Sequence, residues 1–236
     1  MPAVDLHCHL LPGVDDGPQH LDESVEYARA AVAAGTGTIV ATPHVEKVVV
    51  SSLPERVEGV RAALASEGID LRVEVGGELK PYSIGSLRQE ELEIIAHGPP
   101  DARWVLYEVP FRGIDDEFLD GAHELRRRGF GILLAHPERS RDFLANEGLA
   151  ALDPLLATGA KIAANVGPLS GREAEPRWRA AKFLLERGAI DVIATDAHPP
   201  RRSYQLQDVM GMTGAEHERL TALTPAALVR DGLHTP

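Results

Sequence analysis

Histidines and carboxylates recur in this chain at short separations, each group standing directly after a run of β-branched or aliphatic residues. His7-Cys8-His9 follows Ala3 to Leu6, His44 follows Thr38 to Thr42, Glu78 follows Leu71 to Gly76, and Glu108 ends the run from Trp104. His136-Pro137-Glu138-Arg139 follows Gly131 to Ala135, and Asp196-Ala197-His198 follows Asp191 to Thr195. In extended backbone, residues two apart point the same way, so His7 with His9, and Asp196 with His198, can converge on one ion. Imidazole and carboxylate are the ligand types that hard to borderline divalent metals take. A lone histidine is ordinarily a core or surface residue, but six donor positions behind six separate runs make a metal site the simpler account. A guanidinium repels cations and offers a planar fork to phosphate, so Arg139, and Arg201 or Arg202 just beyond His198, are read as holding phosphate oxygens.

For these groups to meet, the runs before them must lie side by side. With Lys161 to Asn165 there are seven such runs, alternating with amphipathic stretches, the pattern of parallel strands joined by crossover helices. That is one run short of the eight of a standard barrel, a fold that places its chemistry on the loops following the strands. Helices are expected over 21–35, 54–68 and 176–188, with Pro54 and Pro176 at starts and Gly35, Gly68 and Gly188 at ends. The tail from Gly211 is weakly patterned and is expected to cap the barrel. A single domain spanning 1–236 is the expectation for a chain of this length.

Composition excludes several classes of partner. With 36 acidic against 24 basic residues, the net charge of −12 argues against a nucleic-acid footprint. No apolar run approaches the ~20 residues of a membrane span, so no membrane insertion is expected. One cysteine cannot form an internal disulfide, and the first residues lack the pattern of a leader, which points to the cytoplasm. Cys8 is not the nucleophile of a Cys-x5-Arg phosphatase loop, because Val14 stands where arginine would be needed; it is expected to be a packed core thiol.

Taken in order, the donor motifs resemble the polymerase and histidinol phosphatase (PHP) superfamily. Within it, DLHCHLLPGVDDG, Asp22-Glu23-Ser24, TIVATPH, the Glu108-Val109-Pro110-Phe111 segment, AHPER and TDAH are similar to the metal-dependent protein-tyrosine phosphatases of capsule and exopolysaccharide loci, from Val4 to about His198. The resemblance implies a distorted (β/α)7 TIM-like barrel and two or three divalent metal ions, with manganese the first expectation and iron or zinc the alternatives. One ion would lie on His7, His9, Glu78 and Asp196, a second on Glu78, Glu108 and His136, and a third on Asp16, His44 and His198, with Glu78 bridging. Asp15 is chemically identical to Asp16, and only alignment to the family separates them. Arg139, Asp196 and His198 are then the candidate catalytic residues. The implied reaction is hydrolysis of phosphotyrosine on a protein or peptide, such as the tail of a bacterial tyrosine kinase, by a metal-bridged hydroxide. Four carboxylates against three divalent ions leave a charge of roughly +2, suited to a dianionic ester.

The chain departs from that family at His44-Val45-Glu46-Lys47, where a second histidine and then Gly and Tyr are common, and at Thr224-Pro225, where Asn-Pro is common. The competing readings are a histidinol-phosphate-type small-molecule phosphatase, a metal-binding amidohydrolase and a non-catalytic metal-binding module. Amidohydrolases usually carry a bridging lysine and a lone final Asp, where this chain has Glu78 and Asp196-x-His198. Oligomeric state is left open.

Overall fold

A computed structural model of the chain describes residues 1–144, 148–173 and 175–233. Eight strands run through it: β1 (Ala3–Cys8), β2 (Thr36–Ala41), β3 (Arg72–Val75), β4 (Glu78–Leu79), β5 (Trp104–Glu108), β6 (Gly131–Ala135), β7 (Lys161–Asn165) and β8 (Val192–Ala194). All pairings are parallel, in a three-stranded sheet β1-β2-β3 and a five-stranded sheet β4-β5-β6-β7-β8. The two sheets meet at their carboxyl ends through the isolated bridges Cys8–Ala197 and His44–Glu78. The expected barrel is therefore present as two parallel sheets with two seams.

Seven runs become eight strands because a short strand that none of the runs includes, β4, follows the third run across Gly76-Gly77. A Cβ on Gly76 would fall 2.5 Å from Val40 Cγ1, and one on Gly77 would fall 2.7 Å from Val45 Cγ1. Only glycine lets the chain pass this close to β2 as it leaves one sheet and enters the other with Glu78.

Alternate residues of each strand share a face, and on the inner face the chemistry changes with height. Val4, Leu6, Val40, Trp104, Leu106, Leu133, Ala163 and Val192 form one buried apolar cluster. Continuing by twos along the same strands leads to His44, Glu108, Asn165 and Asp196. On β1 the register slips between Asp5 and Cys8, which re-aims the side chains so that His7 and His9 face the centre while Cys8 joins the outer apolar cluster. The tail closes the other end: Leu228 and Leu233 complete the inner cluster, and Trp104 Nε1 donates to Leu228 O at 2.8 Å. Below the expected cap, this tail forms the helices Gly214–Glu218 and Thr224–Asp231.

The outer layer is helical. Leu21–Ala33, Leu53–Ser66 and Glu175–Glu186 occupy the three stretches read as helices. Ser24, Tyr27, Ala28 and Ala31 form the buried stripe of the first, at helical spacing. Its Ser24 Oγ donates to Leu10 O at 2.8 Å, and its Tyr27 OH donates to Tyr204 O at 2.9 Å, anchoring the loops after β1 and β8.

Gly76→Ala should destabilise the protein by about 1–3 kcal/mol, because the new methyl overpacks against β2. Denaturant unfolding checks this, with the exposed helical Gly59→Ala as control; nothing lies within 4 Å of its Cβ, and it should stabilise by about 0.5–1 kcal/mol.

Candidate metal centre

The nine metal-binding residues expected from the sequence converge at the carboxyl ends of the strands. His7, His9, Glu78, Glu108, His136, Asp196 and His198 are buried, His44 is partly exposed, and the Asp16 side chain is 60% exposed. Three sets hold their donor atoms within 4.8 Å of one another: His7, His9 and Glu78; His44, Glu78 and Glu108; and His9, Asp16, His44 and His198. Asp196 Oδ1 adjoins the first set, 3.5 Å from His7 Nε2 and 3.6 Å from His9 Nε2. His136 Nε2 approaches Glu78 Oε1 at 2.8 Å, and His44 Nδ1 approaches Glu78 Oε2 at the same distance. Glu78 thus belongs to two of the three sets, as a bridging ligand would.

The residues fit a divalent cation. His7 Nε2 and His9 Nε2 face each other at 3.3 Å. The carboxylate oxygens Glu78 Oε2 and Glu108 Oε2 are buried with no hydrogen bond of good geometry. Buried carboxylate oxygens are normally paired, and two of them left unsatisfied beside facing imidazole nitrogens suit a cation.

Neighbouring groups hold these donors in place. Asp15 Oδ2 lies 2.6 Å from His9 Nδ1 and accepts from the backbone N of His44 at 3.0 Å, while its Oδ1 accepts from Gly17 N at 3.0 Å. This occupies the far nitrogen of His9 and aims Nε2 at the centre. Asp16 instead faces His44 Nε2 at 3.5 Å and His198 Nε2 at 3.3 Å, so geometry gives the two adjacent aspartates different work. Asp5 accepts from the backbone N of His7 and of Thr195, at 3.2 and 3.0 Å, tying β1 to the end of β8. Asn165 Nδ2 donates to Asp196 Oδ2 at 2.7 Å, and the buried Glu138 accepts from Asn165 N at 2.8 Å. His136 and Asp196 both adopt positive φ, 40° and 47°. That left-handed backbone costs an L-residue about 1–2 kcal/mol and turns each side chain inward at the end of its strand.

Electrostatics divides the donors. Burial raises Glu78 and Asp196, but the imidazoles around them, and for Asp196 also Arg139 and Arg202, outweigh it and hold both well below the usual carboxylate range. Burial and the charge of Glu78 push Glu108 up to about 8. Burial lowers His136 and His198 to about 4. His9 goes the other way, to about 10, because Asp15 and Glu78 outweigh its burial.

All of these donors except His7 and His9 line a cavity of about 210 Å³ together with Lys80, Phe111, Arg139 and Arg202. Arg139 NH1 donates to Asp196 Oδ2 at 2.7 Å, and its guanidinium stacks on the Phe111 ring at 4.5 Å. Arg202 NH2 reaches His198 Nε2 at 3.0 Å. Arg201 is exposed and is not part of the lining. Cys8 is fully buried, and burial pushes its thiol up. The sequence reading passed over Asn165, Lys80 and Phe111. Asn165 ends its strand as Glu108 ends β5, and Lys80 is two residues beyond Glu78, both signals of the period already used elsewhere.

A parallel α/β scaffold that gathers imidazoles and carboxylates at the carboxyl ends of its strands defines a barrel-type protein with a candidate polynuclear metal centre. Residues 3–219 match the capsular polysaccharide synthesis family CpsB/CapC, and the chain belongs to that family. It is 32% identical over 212 residues to the tyrosine-protein phosphatase YwqE of Bacillus subtilis (strain 168), covering 88% of this chain and 82% of that protein. With the tyrosine-protein phosphatase CpsB of Streptococcus pneumoniae it shares 26% identity over 205 residues, 83% of this chain and 82% of the relative. A crystal structure from work on YwqE and CpsB, described there as unique metal-dependent tyrosine phosphatases, superposes with a TM-score of 0.77 at 28% identity, over 95% of this chain and 90% of that one. The phosphotriesterase homology protein of Escherichia coli, solved with phosphate in its active site, shares the fold, with a TM-score of 0.61 at 13% identity, over 95% of this chain and 97% of its own.

In the metal-free protein at neutral pH, His9 (about 10) and Glu108 (about 8) carry protons that a metal must displace. Metal affinity should therefore rise with pH between about 6 and 8, by up to ~10-fold per unit for each proton released. His136 and His198, at about 4, are already neutral and add nothing there. Calorimetric titration in buffers of different ionisation enthalpy counts the protons; pH-independent binding would contradict the assignment.

Proposed function

We propose that this chain is a metal-dependent protein-tyrosine phosphatase, with His7, His9, Asp16, His44, Glu78, Glu108, His136, Asp196 and His198 holding two or three divalent ions. The observation that carries the reading is the convergence of imidazoles and carboxylates on Glu78 beneath a cavity that Arg139 and Arg202 also line. Membership of the CpsB/CapC family, with relatives named as tyrosine-protein phosphatases, supports the substrate. Manganese is the first expectation for the metal, with iron or zinc as alternatives. The phosphotyrosine would belong to a protein or peptide, such as the tail of a bacterial tyrosine kinase. We place the protein in the cytoplasm as one catalytic domain; among the described residues no helix is long and apolar enough to cross a membrane.

Bound divalent ions would supply Lewis acidity and bring the pKa of water towards ~7. The protein's own part is to bind and orient. Arg139, with its side chain 14% exposed, reaches the cavity floor at Asp196 and would turn its fork to the non-bridging phosphate oxygens. Arg202 approaches from the loop after His198 and would share that charge. Asn165 and Glu138 keep Asp196 in place while Arg139 changes partner.

Turnover of phosphotyrosine peptide, compared with histidinol phosphate, should be abolished by chelation and restored by manganese; full activity in stripped protein would overturn the reading. Arg139→Ala should retain metal and fold yet lose roughly 10- to 1000-fold in kcat/KM, as when one preorganised charged donor is removed. His136→Ala should lose metal as well as activity, which metal analysis of both variants distinguishes.

A further inference from the structure

Lys80 lies two residues beyond Glu78 and lines the metal cavity beside Glu108 and Phe111. The same three residues also line a second hollow, of about 470 Å³, whose walls include Pro81, Tyr82 and Pro110. Lys80 therefore marks a threshold: on one side are the metal donors and the guanidiniums of Arg139 and Arg202, on the other prolines and aromatic rings together with Arg112, Asp115 and Glu117. Tyr82 and Phe111 stand exposed at this rim, at 59% and 48%. Glu46 stations the lysine: Lys80 Nζ donates to Glu46 Oε1 at 2.8 Å, and Tyr82 OH donates to the same oxygen at 3.3 Å.

Phosphotyrosine divides the same way, into a dianionic phosphate, an apolar ring and the ester oxygen between them. With the phosphate among the metal donors and guanidiniums, continuity of the two hollows puts the ring against Tyr82, Pro110 and Phe111 and the ester oxygen at Lys80. We propose that Lys80 is a catalytic residue facing the phenolic oxygen that leaves phosphorus, and that the adjoining hollow walled by Tyr82, Pro110 and Phe111 seats the phenyl ring. This rests on the phosphotyrosine reading above. When the phosphorus–oxygen bond to the ring breaks, its electron pair stays on the phenolic oxygen. Water supplies the oxygen that completes hydrogen phosphate and, through solvent, the proton that turns phenolate into phenol. The Lys80 ammonium offsets the charge developing on the leaving oxygen, where a preorganised charge is most effective.

The test is kcat/KM for metal-loaded wild type, Lys80→Ala and Lys80→Met on phosphotyrosine peptide and on 4-nitrophenyl phosphate, with metal content and Tm measured alongside. Lys80→Ala should lose about 10- to 100-fold on the peptide and about 3-fold or less on 4-nitrophenyl phosphate, whose leaving group needs little help. Lys80→Met, which keeps the length of the stem, should show the same contrast if the alanine variant fails to fold. Equal losses on both substrates, with or without loss of metal, overturn the role of Lys80. Tyr82→Ala should raise KM for the peptide about 2- to 10-fold, the worth of one aromatic contact, and leave inhibition by inorganic phosphate unchanged; a parallel weakening of phosphate inhibition overturns the ring seat. Wild type that hydrolyses alkyl phosphates and no aryl phosphate refutes the tyrosine phosphatase reading itself, an outcome separate from a flat response to Lys80 substitution.

Discussion

Glu78 is a carboxylate 1% exposed with four imidazoles around it, and the arrangement of the protein follows from that. His136 and His44 approach it at 2.8 Å, His7 and His9 at 3.5 Å. Burying such a charge costs several kcal/mol unless it is compensated, and imidazoles compensate fully only when protonated or when they share a cation with it. The backbone bends to make this meeting happen. Glu78 N donates to Pro43 O at 3.0 Å across a seam, and the chain reaches that seam only because Gly76-Gly77 lets it pass close to β2 between β3 and β4.

Around the donors lies a second layer of groups, each fixing one of them. Asp15 holds His9, Asp5 with Thr195 holds the backbone of His7, and Asn165 with Glu138 holds Asp196. The left-handed backbone at Asp196 is held by the Asn165 contact and by its N donating to His7 O at 2.8 Å, and that at His136 by its N donating to Ala163 O at 2.7 Å. Below, the inner apolar cluster and its plug at Leu228 and Leu233 give the donor layer a rigid floor. A centre built on strand ends over packed side chains holds its geometry better than one carried on loops alone.

The segment Val45-Glu46-Lys47 follows His44 directly, beside the cavity. Glu46 is the residue that tethers Lys80 and Tyr82, so it bears on how the cavity meets its surroundings.

The runs from Trp104, Gly131 and Lys161 are strands residue for residue because continuous apolar character and β-branching admit little else, and the donors behind them were legible from the two-residue period. The reading of Cys8 as a packed thiol, and the family resemblance, came from the same local signals. Other features were not local. That a short strand at Glu78–Leu79 opens the second sheet just after the third run depends on the seam the chain crosses there; that Asp15 braces His9 while Asp16 faces His44 depends on which carboxylate a turn aims inward. Arg202 lines the cavity and its neighbour Arg201 does not, and Lys80 stands between two hollows with residues at the ends of β4 and β5. Sequence by itself determined which residues share a face, because backbone period is a property of one segment. Only the tertiary structure decided which faces meet and at what distance, because the closing of the two sheets is made by contacts between segments far apart in the chain.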